Sequence, residues 1–228
     1  GTSDIGKKIT AGNSLSTAGF SVALSAGTFT VGGTQITIAT TDTVTDVINR
    51  ITTNVSNVTA SYDSGTDKIS ITTTSGTLVL GSPTDTSNFL QATHLTNNGT
   101  STISSTHKLG GINLQHTANA AAFQTSGTSA SGSFTINGVT ISYAATDSVA
   151  DILSKINSSS ASVFASYDAV NDRFKLTNKT DGDLGMTLAD VSGGFLANSG
   201  LLGGTLDRGK NLIYRLNGGD AVINQGNS

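Results

Sequence analysis

The chain has 228 residues, 36% of them hydrophobic and 12% charged, with a formal net charge of -3, one Pro, and neither Cys nor Trp. A chain of that length can bury a core unaided, and the lack of cysteine excludes disulfides and thiolate metal sites. The mild acidity excludes the basic footprint of a nucleic-acid binder, and no run of about 18 apolar residues offers a membrane-spanning helix.

The polar remainder is mostly Ser, Thr, Asn and Gly, a bias toward exposed β-structure and turns. Gly1 in place of an initiating methionine is expected of a piece of a longer protein. In chain order, the first predicted element is a hairpin through Phe29, Val31 and Ile36, turning at Gly32-Gly33, where both residues must accept positive φ. A helix follows from Thr43-Val44-Thr45-Asp46, a capping threonine with a carboxylate three residues later. Its Val44, Val47, Ile48 and Ile51 recur at helical spacing and give one apolar stripe. A second hairpin alternates through Val58, Ala60 and Tyr62, turns between Asp63 and Asp67, and returns through Ile69 and Ile71. The short segment Leu78-Val79-Leu80 and then Phe89 close the unit, and the Ser-, Thr- and Asn-rich stretch Thr96 to Thr106 reads as a linker.

The same grammar then repeats. Ala60-Ser61-Tyr62-Asp63 lies over Ala165-Ser166-Tyr167-Asp168 under a shift of 105, which also aligns Phe29 with Phe134 and Asp67-Lys68 with Asp172-Arg173. The second hairpin turn is Asn137-Gly138, the second cap Ser148 with Asp151, and the second stripe Val149, Ile152, Leu153 and Ile156. One inserted residue near Asp181 moves Phe89 onto Phe195. This period is too long for a solenoid. The expected fold is mainly β with short helices (α+β): two tandem homologous β-rich lobes, each hairpin-helix-hairpin plus an extra strand. The expected domains are 1–103, 104–206, and a segment 207–228 that begins a further strand, completing an earlier sheet or opening a new hairpin from Leu212 to Gly219 with Ala221-Val222-Ile223 as its partner.

No catalytic, cofactor-binding or metal residue is assigned. Asp63 and Asp67, like Asp168 and Asp172, crowd a turn with oxygen ligands, but turns use Asp to hydrogen-bond their own backbone, and no calcium loop with a closing Glu is present. His94, His107 and His116 stand 13 and 9 residues apart in polar segments, unlike metal-ligand spacing, and read as solvated loop histidines. Tyr62 and Tyr167 end strands and read as half-buried rings. Serines are too common to single out a nucleophile, and no Gly-x-Ser-x-Gly elbow occurs. Asn-x-Thr triplets at Asn57 and Asn178 receive no function.

Phe134 to Gly138, Asp147 to Asn157, Val163 to Asp168 and Asp172 to Leu176 together resemble the flagellin hook motif; the first copy departs from it at Gly32 and Thr52. That motif occurs in the flagellar filament cap proteins, the hook-associated protein 2 family, and in some flagellins and other hook-associated proteins. Gly209 to Gly219 also resembles a cap-protein stretch that follows the motif. The resemblance implies a structural role rather than an enzymatic one: the head of a cap subunit at the filament tip, outside the cell, exported through the flagellar secretion apparatus. It implies as partners other copies of the chain in a homo-oligomer, flagellin and hook-filament junction proteins, with no cofactor. The alternative readings are an insert domain of a flagellin or of another hook-associated protein, and a surface adhesin module meeting host glycans.

Overall fold

The computed structural model describes residues 1–182, 184–209, 212–215 and 221–224. The chain divides into two compact units, one made of Gly6–Asn113 with Ala169–Asn171, the other of Gly1–Ile5, Leu114–Asp168 and Asp172–Ser228. Each unit contains one copy of the repeat, and the fold is mainly β with short helices, as the sequence implies.

In the first copy, β1 (Gly27–Val31) and β2 (Thr34–Ile38) form an antiparallel hairpin with Val31 paired to Thr34. Gly32 and Gly33 take φ of 56° and 82°, the left-handed pair that a two-residue hairpin turn of matching twist requires. The helix α1 (Val44–Asn54) begins at a complete capping box: the Thr43 hydroxyl accepts from the Asp46 N–H at 3.1 Å, and the Asp46 carboxylate accepts from the Thr43 N–H at 2.8 Å. Val44, Val47 and Ile51 are fully buried, while Ile48 sits at the edge of the stripe. β3 (Val58–Asp63) and β4 (Lys68–Thr73) form the second hairpin.

The second copy repeats these elements as β6 (Gly132–Ile136), β7 (Val139–Tyr143), α3 (Val149–Ser158), β8 (Val163–Asp168) and β9 (Arg173–Asn178). Asn137 and Gly138 turn the first hairpin at φ of 49° and 78°, and Ser148 with Asp151 closes the second capping box. All four residues of the α3 stripe are buried.

The copies diverge after the second hairpin. In the second copy, β10 (Leu188–Ser192) pairs along β6, with a bulge between Asp190 and Ser192. In the first, Leu80 makes only an isolated bridge to Val31, because Ser82-Pro83-Thr84-Asp85 interrupts the strand and proline brings no N–H to the ladder. Asp85 replaces the lost strand partner, accepting from the Thr30 N–H at 3.0 Å and the Thr30 hydroxyl at 2.6 Å. Two one-turn helices, α2 (Phe89–Ala92) and α4 (Phe195–Asn198), carry the closing phenylalanines inward.

The stretch expected to be a linker contains structure. Within it, β5 (Thr102–Ser104) forms the third strand beside β4, with Ile103 opposite Ile71 and both fully buried. Outward-facing hydroxyls pair across the strands, Ser70 with Ser104 at 2.7 Å and Thr72 with Thr102 at 3.0 Å. A three-residue strand with a single apolar residue carries too little alternation to be seen in a polar segment.

Each unit has its own core. In the first, Phe29 stacks on Phe89 with ring centroids 4.3 Å apart. In the second, Phe123, Phe134, Tyr143, Phe174 and Phe195 form one aromatic cluster, with Phe134 and Phe195 stacked at 5.6 Å. Each such ring contributes about 2–3 kcal/mol by leaving water. At the end of the chain, β11 (Leu212–Arg215) pairs with β12 (Ala221–Asn224); the expected Asn217-Gly218 turn lies outside the described residues.

Candidate functional site

The two carboxylates of the first turn have separate tasks. Asp63 serves the turn, accepting from the Gly65 N–H at 2.7 Å and from the Thr66 hydroxyl at 2.8 Å, and these bonds hold its pKa below the usual carboxylate range. Asp67 does not. It is fully buried at φ 56°, and its carboxylate accepts from the Tyr62 hydroxyl at 2.7 Å, the Gly110 N–H at 2.8 Å and the Ile9 N–H at 3.4 Å. Its own carbonyl accepts from the Leu109 N–H at 2.9 Å. A buried carboxylate must have its lone pairs filled, and here they are filled by Tyr62 of the same hairpin and by two chain segments far from Asp67 in sequence.

Asp172 is the counterpart in the second copy, buried at φ 44° and bonded by the Tyr167 hydroxyl. Asp168 stays nearer the surface, with Lys175 at 2.7 Å and Arg173 at 3.4 Å. Tyr62 and Tyr167 are therefore more than half-buried rings: each clamps a buried aspartate five residues on. Burial first, and then the bond to Asp67, pushes the Tyr62 pKa up. The spacing Tyr-x4-Asp in both copies is a signal that could have revealed the pair from sequence.

The histidines depart from the expected solvated loops. His94 and His107 stack with ring centroids 3.6 Å apart, and His94 adopts φ 56°. The His94 Nε2 is buried without a hydrogen-bond partner, and burial, followed by the proximity of His107, lowers its pKa to about 4. His107 Nδ1 lies 3.0 Å from the Thr106 hydroxyl. Stacked rings present faces to one another rather than converging lone pairs. His116 belongs to the other unit, its Nδ1 3.3 Å from the Ala120 carbonyl oxygen. Among the described residues, no three His, Cys, Asp or Glu side chains converge in a way that could hold a metal ion.

An open cleft of about 770 Å³ lies in the second unit, with Arg173, Lys175 and Thr177 of β9 on one side and Leu184, Met186 and Leu206 among its other residues. None of Tyr167, Asp168, Asp172 or His116 lines it. Nucleophilic or acid–base chemistry requires a nucleophile, a base and an orienting group within hydrogen-bond reach. The tyrosines here bond to aspartates that backbone N–H groups also engage, Asp63 and His107 meet neighbouring hydroxyls, Asp168 meets surface cations, and His94 stacks on His107. The arrangement is suited to holding loops in place.

Residues 126–180 match the family model of the flagellin hook IN motif, which spans β6 to β9 with α3 between them. Over 169 residues, 70% of this chain, the sequence is 32% identical to flagellar hook-associated protein 2 of Thermotoga maritima. The chain spans about a quarter of that relative, 27% of its length. No solved structure matches the chain. The similarity expected from the second repeat is thus found, and it extends well beyond the motif. No helix among the described residues is long and apolar enough to cross a membrane.

Proposed function

We propose that this chain forms β-rich head modules of a bacterial flagellar filament cap, a structural part that promotes flagellin assembly at the filament tip and has no enzymatic activity. The observation that carries this reading is the likeness to a flagellar hook-associated protein 2 over 70% of the chain, a span much longer than the matched motif at residues 126–180. Its location is the tip of the flagellum, outside the cell, reached through the flagellar secretion apparatus. Its partners are further copies of the same chain, flagellin and the hook-filament junction proteins. The two copies of the repeat act as tandem modules, and buried Asp67 and Asp172 support this by bracing loops instead of facing a substrate.

The test is deletion of the gene in its source organism, with electron microscopy of filaments and measurement of flagellin in the medium. Lost filaments with abundant monomeric flagellin released are expected. Normal filaments would overturn the cap reading and leave an insert domain of another flagellar protein.

A further inference from the structure

Leu109 and Ile5 hold the same place one repeat apart. In the unit built on Gly6–Asn113, Leu109 is fully buried; its N–H donates to the Asp67 carbonyl at 2.9 Å and its carbonyl accepts from the Ser21 N–H at 3.0 Å. In the unit that contains Leu114–Asp168, Ile5 is buried; its N–H donates to the Asp172 carbonyl at 3.3 Å and its carbonyl accepts from the Gln124 N–H at 2.6 Å. Asp67 and Asp172 are repeat equivalents, and Ser21 and Gln124 each follow a buried phenylalanine, Phe20 and Phe123. Both inserted residues are aliphatic and are followed by glycine, Gly6 and Gly110.

We infer that each lobe contains a main-chain slot for one aliphatic residue, bounded by the carbonyl of the buried hairpin aspartate and the N–H after the leading-loop phenylalanine. The slot of the second lobe is filled from ahead of the first. Residues 1–5, at the head of the first copy, are thereby a structural strap of the second. Both main-chain bonds made by a buried residue are what an internal strand provides, and the fit extends beyond Ile5. The Thr2 N–H donates to the Gly200 carbonyl at 3.0 Å, and Gly200, at φ 68°, lies so close that an added Cβ would collide with the Thr2 hydroxyl. The first unit is therefore complete in sequence once Asn113 is present, apart from the short Ala169–Asn171 turn, whereas the second requires Ile5 to wait for Leu114 and everything beyond it.

The experiment is hydrogen exchange on the full chain carrying Ile5→Ala or Leu109→Ala. Truncating a buried aliphatic side chain opens the unit it packs in. Ile5→Ala is expected to speed exchange of the β8–β9 amides by about thirtyfold or more while β3–β4 stays unchanged. Leu109→Ala is expected to do the reverse, although Leu109 is the nearer residue in sequence to the second copy. Should Ile5→Ala unfold the second unit outright, Ile5→Val gives the graded form of the same result, a few-fold change confined to β8–β9. Faster exchange in β3–β4 with Ile5→Ala, or no change in either hairpin, would overturn the inference.

Discussion

The hydroxyl of Tyr62 donates to the buried carboxylate of Asp67 at 2.7 Å, and Tyr167 makes the same bond to Asp172 one repeat later. Removing the carboxylate leaves the Tyr62 hydroxyl and two backbone N–H groups, of Gly110 and Ile9, without an acceptor in the interior. Each such orphaned group costs about 1–3 kcal/mol. Asp67→Ala is expected to destabilise the first unit by about 3 kcal/mol, and Tyr62→Phe, which removes one donor with its bond, by about 1 kcal/mol. Urea unfolding at neutral pH reads both.

Tyr143 is the opposite case. Its hydroxyl is buried without a hydrogen-bond partner, and burial pushes its pKa up, with Asp190 adding to the shift. An unsatisfied buried hydroxyl is a cost that the ring alone does not carry. Tyr143→Phe is expected to leave the aromatic cluster intact and to stabilise the second unit by about 1 kcal/mol. The measurement is the thermal midpoint; a fall of several degrees would refute the expectation.

The stacked histidines set an acid limit. His94 has a pKa lowered from 6.5 to about 4, so in that interval the unfolded chain binds more protons than the folded one. Stability is then fully present above pH 6.5 and is lost progressively as pH falls toward about 4. Asp42 acts lower: its bond to Arg50 holds its pKa below 3.8, so its contribution is lost only below that value. His94→Asn, which suits the left-handed φ of 56°, is expected to reduce the fall of the thermal midpoint between pH 6.5 and 4, with His107 keeping a share because burial lowers its pKa too, while sparing the loss from Asp42 beneath that range.

The capping boxes give a matched pair. Ser148→Ala and Thr43→Ala each remove the oxygen that accepts from the N–H three residues on. A loss of about 1 kcal/mol is expected for each, confined to the unit that holds the altered helix and visible as faster exchange in the first turn of α3 or α1.

Much of this fold was legible because the repeat states its rules twice. The Gly32-Gly33 and Asn137-Gly138 turns, the Thr43 and Ser148 caps and the two apolar stripes each arise from local chemistry that acts within a few residues. β5 was not legible, since Ile103 is recognisable as core only when Ile71 lies opposite it. The stacking of His94 on His107 depends likewise on a loop path with positive φ at His94 that no spacing rule encodes. In sequence Asp67 reads as a turn residue, because its partners Ile9 and Gly110 are 58 and 43 residues away, beyond the reach of periodicity. The missing continuation of the strand at Leu80 is due to Pro83, which was in plain view but acts only once β1 is known to need a neighbour.

A chain without native cysteine accepts thiol chemistry wherever a cysteine is introduced. Ser75 and Ser126 are exposed, one in each compact unit, beside Gly76 and Gly127, around which an added carbon would meet nothing within 4 Å. Ser75→Cys and Ser126→Cys would carry a donor and an acceptor dye without touching either core. Single-molecule energy transfer between them would then read out the separation of the two halves of this molecule in solution, one molecule at a time.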